Sequence, residues 1–122
     1  MLDISDCQQI YCTLDPSEVD LGFAGRLADG NQSLAALERL SAGDSVNLEH
    51  DGDRWLIQDN DGVVIGRLAK KFTPPEAAEF VKGSVFAITE RYRTDSADEY
   101  QHLINREQWP VVLPELVFRK SA

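Results

Sequence analysis

Residues 45–68, SVNLEHDGDRWLIQDNDGVVIGRL, carry the clearest structural pattern in the chain. Three runs rich in apolar and β-branched residues alternate with two short polar turns. The Asp-Gly pairs that end at Gly52 and Gly62 supply the positive φ angles that tight hairpin turns need. The stretch therefore predicts a three-stranded antiparallel meander. Trp55 lies in phase with Ile57 on the second strand, so its ring is predicted to belong to the core.

Further strand patterns lie on both sides of this meander. Residues 7–15 and 84–93 combine β-branched and aromatic residues and end in turn-forming or polar segments, which is typical of strands. Residues 20–30 predict a less regular strand, and residues 100–105 a short one. The terminal segment 108–118, QWPVVLPELVF, contains two prolines, which favour an extended edge strand over a helix.

Two helices are predicted between the strands. SLAALERL, residues 33–40, contains good helix formers and is followed by Gly43 as a stop. TPPEAAEFVKG predicts a helix over residues 74–82, capped by Thr73, with a proline in its first turn and Glu76 completing a capping box. Six or seven short strands with one or two short helices make a mainly β, β-rich α+β fold. We expect a small antiparallel barrel that forms a single domain over residues 1–122.

The charge of the chain is unevenly distributed. Its 122 residues carry a formal net charge of −9, and hydrophobic residues make up 43%, enough for a core. Residues 1–64 hold 13 acidic and 3 basic residues, whereas residues 65–122 hold 8 and 9. The overall balance argues against a protein that coats nucleic acid nonspecifically, but it leaves room for a local site.

Composition also restricts the compartment and the chemistry. No apolar run reaches the roughly 18 residues of a membrane span, and the N-terminus is acidic where a signal peptide is basic. Cys7 and Cys12 would point to opposite faces of one strand, which predicts reduced cysteines in a cytoplasmic protein without a membrane partner. No catalytic signature, metal-ligand spacing or phosphate-binding loop occurs, so we predict no enzyme activity, no metal and no cofactor.

A compact basic segment, GRLAKKF, follows the third strand of the meander. Cations and aromatic rings at neighbouring positions suit single-stranded nucleic acid, because cations neutralise phosphates and rings stack on bases. Two further bases share one face of the strand over residues 84–93. The alternative is an ordinary solvated turn with Phe72 buried. The candidate nucleic-acid-binding residues are Arg67, Lys70, Lys71, Phe72, Arg91 and Arg93.

The same stretches resemble a known family of β-barrel domains. LERLSAGDSVNL, residues 37–48, followed by a hairpin and by GVVIGRL, residues 62–68, is similar to the pattern of HIRAN domains. LGFAGR, residues 21–26, resembles the family's early strand. Residues 90–118 are similar to the C-terminal region of some bacterial RecQ-type DNA helicases. This chain has EHDGDRW, residues 49–55, where typical HIRAN domains carry a basic and asparagine-containing stretch.

The resemblance implies a HIRAN-like or SH3-like barrel that serves as a non-catalytic accessory domain of a DNA-processing protein, such as a helicase or a repair protein. Its implied partners are single-stranded DNA, bound weakly, and other domains of such a protein. The alternative is a protein–protein interaction module without nucleic-acid contact. Its docking face would combine the acidic N-terminal half with the tail 108–118, in which Trp109 is either a core residue or an exposed anchor.

Overall fold

Six antiparallel strands form one sheet in the computed structural model, which describes residues 9–120. The order across the sheet is β1-β6-β5-β2-β3-β4. The strands are β1 (Gln9–Thr13), β2 (Ser45–Asp51), β3 (Arg54–Gln58), β4 (Val64–Arg67), β5 (Ala78–Tyr92) and β6 (Gln108–Lys120). One α-helix, α1 (Gln32–Glu38), and short 3₁₀ segments at Pro16–Glu18, Ala24–Arg26, Arg93–Asp95 and Asp98–Leu103 connect them.

The meander of β2, β3 and β4 confirms the central prediction. Gly52 and Gly62 have φ angles of 64° and 81°, as the two hairpin turns require. Trp55 is half-buried against the core and stacks on His50 across β2 and β3, with 4.4 Å between ring centroids. The helix predicted at residues 33–40 is also present, as α1.

The single six-stranded sheet confirms the prediction of a mainly β fold. Because the sheet remains open, the predicted barrel describes the shape only approximately. The chain that leaves β1 at one edge crosses to the opposite edge and makes a single bridge there, between Val19 and Leu68. On either side of this bridge, Asp20 donates its N–H to the carbonyl of Arg67, and Ala69 donates to Glu18. We call Glu18–Asp20 the strap, because this short segment covers the outer edge of β4.

The helix predicted over residues 74–82 is wrong. Residues from Ala78 onward belong to β5, which pairs with β6 from Ala78↔Lys120 to Tyr92↔Gln108. Ala77 precedes the strand with a φ of +56°, a left-handed conformation that breaks any helix begun after Thr73. Local helix propensity is worth tenths of a kcal/mol per residue, so a long ladder of strand pairing overrides it.

Three weaker strand predictions also need correction. Residues 20–30 form turns and the 3₁₀ segment Ala24–Arg26, and residues 100–105 largely belong to the 3₁₀ segment Asp98–Leu103. The tail 108–118 lies in β6, which is the second strand of the sheet, between β1 and β5, and not an edge strand. Its prolines are tolerated because β1 pairs only with positions 115–119 of β6.

The core lies on one face of this curved sheet. Its most deeply buried large side chains include those of Trp109, Phe118, Ile57, Ile65, Leu68 and Leu116. Trp109 is 1% exposed, so of its two predicted roles the buried core residue is the correct one.

Cys12, one of the two cysteines, is free and half-buried, and burial followed by the charge of Glu18 raises its pKa. Cys7 lies outside the described residues, so the prediction about the pair is not tested. None of the helices in the described part of the chain has the length and apolar content needed to cross a bilayer.

Candidate nucleic-acid interface

Asp20 is the centre of a cluster that brings together arginines from three parts of the chain. Its Oδ2 accepts hydrogen bonds from Arg26 Nη2 at 2.5 Å and from Arg67 Nη2 at 2.6 Å and Nε at 2.9 Å. Arg54 Nη2 lies 3.7 Å from the same oxygen. We call these four residues the arginine cluster. With three cations and one carboxylate, the arginine cluster has a formal charge of +2, whereas the whole chain has a net charge of −9.

Backbone contacts of the strap hold Asp20 in place. Its N–H bonds the carbonyl of Arg67 at 2.8 Å, at the end of β4. Its Oδ1 accepts the N–H of Gly22 at 3.2 Å, which is the local side-chain turn that aspartate favours. A Cβ at position 22 would overlap the guanidinium of Arg26, so glycine leaves the space through which Arg26 reaches Asp20.

The electrostatics of the cluster keep Asp20 ionised. Burial is the largest influence and by itself would raise the pKa of this carboxyl. The hydrogen bonds and charges of Arg26 and Arg67 together outweigh it, so the pKa of Asp20 lies below its usual value. The side chain of Asp20 is 12% exposed, whereas those of Arg26 and Arg67 are 36% and 32% exposed. The carboxylate is thus shielded while the cations keep a solvent-facing surface.

The loop that carries Arg26 is held in place by contacts with the start of β6 and with the segment that precedes β6. Trp109 donates its Nε1–H to the carbonyl of Leu21 at 2.7 Å, and a Cβ at Gly25 would lie 2.8 Å from its ring. Asn105 bonds the carbonyls of Arg26 and Leu27 through its side chain, at 3.0 and 3.1 Å. Arg106 donates to carbonyls of the same loop. These contacts fix the position of the loop over residues 21–27, which we call the platform.

A groove of about 270 Å³ lies beside this platform. Arg26 forms one part of its wall, and Arg91, near the end of β5, forms another. Tyr100 and Leu103 from the 3₁₀ segment complete an apolar part and are 56% and 49% exposed. The remaining lining residues are Gly22, Asp95, Ser96, Ala97 and Ile104. The groove therefore combines two guanidinium groups with an accessible aromatic ring.

The residues predicted from sequence occupy different places. Arg67 belongs to the arginine cluster and Arg91 to the groove, and Arg26 connects the two. Arg93 instead bonds the carbonyl of Ile104 at 3.0 Å and pairs with Glu107 at 3.1 Å, so it braces the connection between β5 and β6.

The other predicted positions lie in the turn after β4. Lys70 and Lys71 are exposed there, next to the strap. The side-chain hydrogen bond with Ser17 is the largest influence that lowers the pKa of Asp15, and the charge of Lys71 is a smaller one. Phe72 is only 8% exposed, so its ring is packed in the core and is not offered for stacking. The solvated-turn alternative is correct on this one point.

Sequence reasoning missed Asp20, Arg26, Arg54 and Tyr100. Asp20 and Arg67 are 47 positions apart, and no local pattern marks them as partners. The one available signal was the short motif LGFAGR, which ends at Arg26 but was interpreted as a strand. Within residues 9–120, no group of three or more histidine, cysteine, aspartate or glutamate side chains has the arrangement of a metal site.

Comparisons of this chain with protein-family models, with curated proteins and with solved structures gave no match. The similarity to HIRAN domains accordingly stays a prediction carried by the short motifs quoted above.

Proposed function

We propose that this chain is a non-catalytic accessory domain of a DNA-processing protein and that it binds single-stranded DNA weakly through the arginine cluster and the adjacent groove. The observation that carries this proposal is the local charge of +2 around Asp20 next to a groove with a further arginine and an exposed tyrosine. Phosphate neutralisation and base stacking are the two interactions that single strands use.

The arginines suit this role because their geometry is already set. Arg26 and Arg67 are held by Asp20, so fixing them against a phosphate costs less conformational entropy than fixing free side chains. Each still has about a third of its side chain exposed. Arg91 donates from Nη2 to the carbonyl of Asp95 at 3.3 Å, a weak contact that leaves donors for a ligand.

Tyr100 replaces Phe72 as the stacking residue of this proposal. Its ring is 56% exposed and lines the same groove as Arg91, so a base on the ring would place its phosphate near a guanidinium. Base–aromatic stacking is worth roughly 1–3 kcal/mol per base. The acidic remainder of the chain opposes binding, and we expect an affinity within the micromolar range of nonspecific contacts.

The test is titration of a fluorescently labelled oligothymidine between about 50 and 200 mM salt. Arg91→Gln should weaken binding and reduce the log–log salt slope by about 0.7, the value for one phosphate contact on a single strand. Tyr100→Ala should weaken binding roughly tenfold and leave the slope unchanged, because stacking releases no counterions.

Arg39→Gln is the matched control. Arg39 is an exposed arginine that caps the C-terminus of α1, and it lines neither the groove nor the cluster. It loses the same charge as Arg91→Gln and therefore corrects for the change in net charge. Equal effects of the two substitutions, or no binding at the lowest salt, would contradict the proposal.

A further inference from the structure

β2 and β5 are neighbours in the sheet over a very short distance. They pair only at Ser45↔Ser84 and Val46↔Gly83, whereas β2 pairs with β3 over five positions. Beyond Val46 the two strands diverge. In the described chain, positions 78–80 and 82 of β5 pair with β6 alone, with a bulge at Val81, and positions 47–51 of β2 pair with β3 alone. We call the space between these two unpaired edges the sheet gap.

The sheet gap opens into a cavity of about 500 Å³. Its walls come from four strands and include Ser45, Asn47, Lys82, Ser84 and Glu115. Val117, which is 3% exposed, forms the apolar floor of this cavity, and Tyr11, which is 64% exposed, lies at its rim. Val117 lies outside the main hydrophobic cluster, whereas its neighbours Leu116 and Phe118 belong to it. The cavity thus has its own apolar base.

Two charged side chains of the described residues line the cavity, those of Glu115 and Lys82. Glu115 accepts a hydrogen bond from the hydroxyl of Thr13 at 3.3 Å. Lys82 is exposed and makes no ion pair with any described residue, although the nearby Glu79 and Arg119 approach each other at 4.0 Å. Lys82 is therefore a lining cation without an ion pair among the described residues, and it lies next to the unpaired backbone of β5.

We propose that the sheet gap binds an extended peptide, which adds a strand to residues 78–82 of β5 and carries a carboxylate that pairs with Lys82. An unpaired strand edge presents backbone donors and acceptors in the spacing that another extended chain satisfies. A side chain of the added strand that shares the face of Lys82 would lie next to it, so a carboxylate at that position can pair with its ammonium group. This surface is separate from the arginine cluster, and the inference does not depend on the proposed DNA binding.

The chemistry of the gap favours a peptide over the other polymers. A nucleic acid lacks the repeating N–H and carbonyl groups that a strand edge needs, and among the described lining residues Lys82 alone is a cation for a phosphate chain. A second copy of this chain would bring a further charge of −9, and mutual repulsion opposes that association.

The experiment uses the full chain, isotope-labelled for amide spectroscopy, and a capped peptide of sequence serine-threonine-valine-threonine-glutamate-threonine-serine. The expected result is a saturable shift of the amide resonances of residues 78–82. A peptide with lysine in place of glutamate should bind about tenfold more weakly, because it loses a charge-assisted pair and faces a like charge. A peptide N-methylated at its five inner residues should not bind, since it lacks the donors for strand pairing.

Two protein variants complete the test. Lys82→Glu should reverse the preference, so that the lysine peptide binds better than the glutamate peptide. Lys70→Glu changes an exposed lysine outside the cavity lining by the same amount and should leave both affinities unchanged. Amide shifts confined to other residues, equal binding of the two peptides, or the same shifts caused by oligothymidine or by dimerisation without peptide would each overturn the proposal.

Discussion

The arginine cluster and the sheet gap use cations in opposite ways. At the cluster, a buried carboxylate that also pairs with Arg26 and Arg54 fixes the position of Arg67, and about a third of the Arg67 side chain stays exposed. At the gap, Lys82 is left without a partner among the described residues, beside a strand edge that is also unpaired. The arginine cluster forms because segments that are distant in sequence contact each other. The sheet gap forms because the pairing of β2 with β5 stops after Val46 and Gly83. A basic residue on a strand can therefore be held in place by a carboxylate of the fold or be left without one, and its surroundings decide which.

The largest expected effect lies beneath the arginine cluster. Trp109→Ala should lower the free energy of unfolding by about 3–5 kcal/mol, because the ring is fully buried and the loop at Gly25 packs on it. Denaturant unfolding followed by circular dichroism measures this. Trp55→Ala is the control, and its cost should be smaller because that ring is half-exposed. Equal costs for the two tryptophans would show that Trp109 does not anchor the loop.

Removing the central carboxylate should have the next largest effect. Asp20→Asn keeps the shape of the side chain but leaves three arginines without their counter-charge, and we expect a loss of about 2–3 kcal/mol at neutral pH. This is less than for a fully buried pair, because the arginines are partly solvated.

The effect of Asp20→Asn should also depend on pH. The pKa of Asp20 is lowered in the folded state, so its contribution is present above the unfolded value of 3.8 and is lost as the pH falls through the folded pKa. The difference in stability between the wild type and Asp20→Asn should therefore be constant near neutrality and shrink below about pH 4. Unfolding curves at several pH values test this, and a difference that stays constant down to pH 3 would contradict it.

The contrast between the two surfaces also explains what the sequence allowed us to predict. The meander was predictable because its strand alternation and the turns at Gly52 and Gly62 are local signals. Neither surface is local in this sense. Asp20 finds Arg67 at a distance of 47 positions, and the edge of β5 at the gap is a segment whose own signals favour a helix. Ala77 has a positive φ, which ends the helix-favouring segment before β5, and an alanine in the sequence does not predict this conformation.

The junction where the sheet gap begins should tolerate little added volume. A Cβ at Gly83 would lie 3.0 Å from Val46 Cγ2 and 3.2 Å from Leu116 Cδ2, so both neighbours must move. We expect Gly83→Ala to cost about 1–2 kcal/mol by overpacking. It should also weaken the pairing of β2 with β5, which amide hydrogen exchange at Val46 and Gly83 measures. Unchanged stability and exchange would mean that the strands are held together elsewhere.

The smallest effects compare the two kinds of cation directly. Arg67→Gln should cost about 1 kcal/mol because it removes two hydrogen bonds to Asp20, whereas Lys82→Gln should change stability by less than about 0.5 kcal/mol. Combining each substitution with Asp20→Asn separates the two cases, since coupling is expected for Arg67 and none for Lys82. Additivity in both cycles would show that Arg67 is as free as Lys82. If the coupling is found, glutamine substitution of Arg67 perturbs the fold as well as the charge, and this is the reason that the DNA-binding test rests on Arg91.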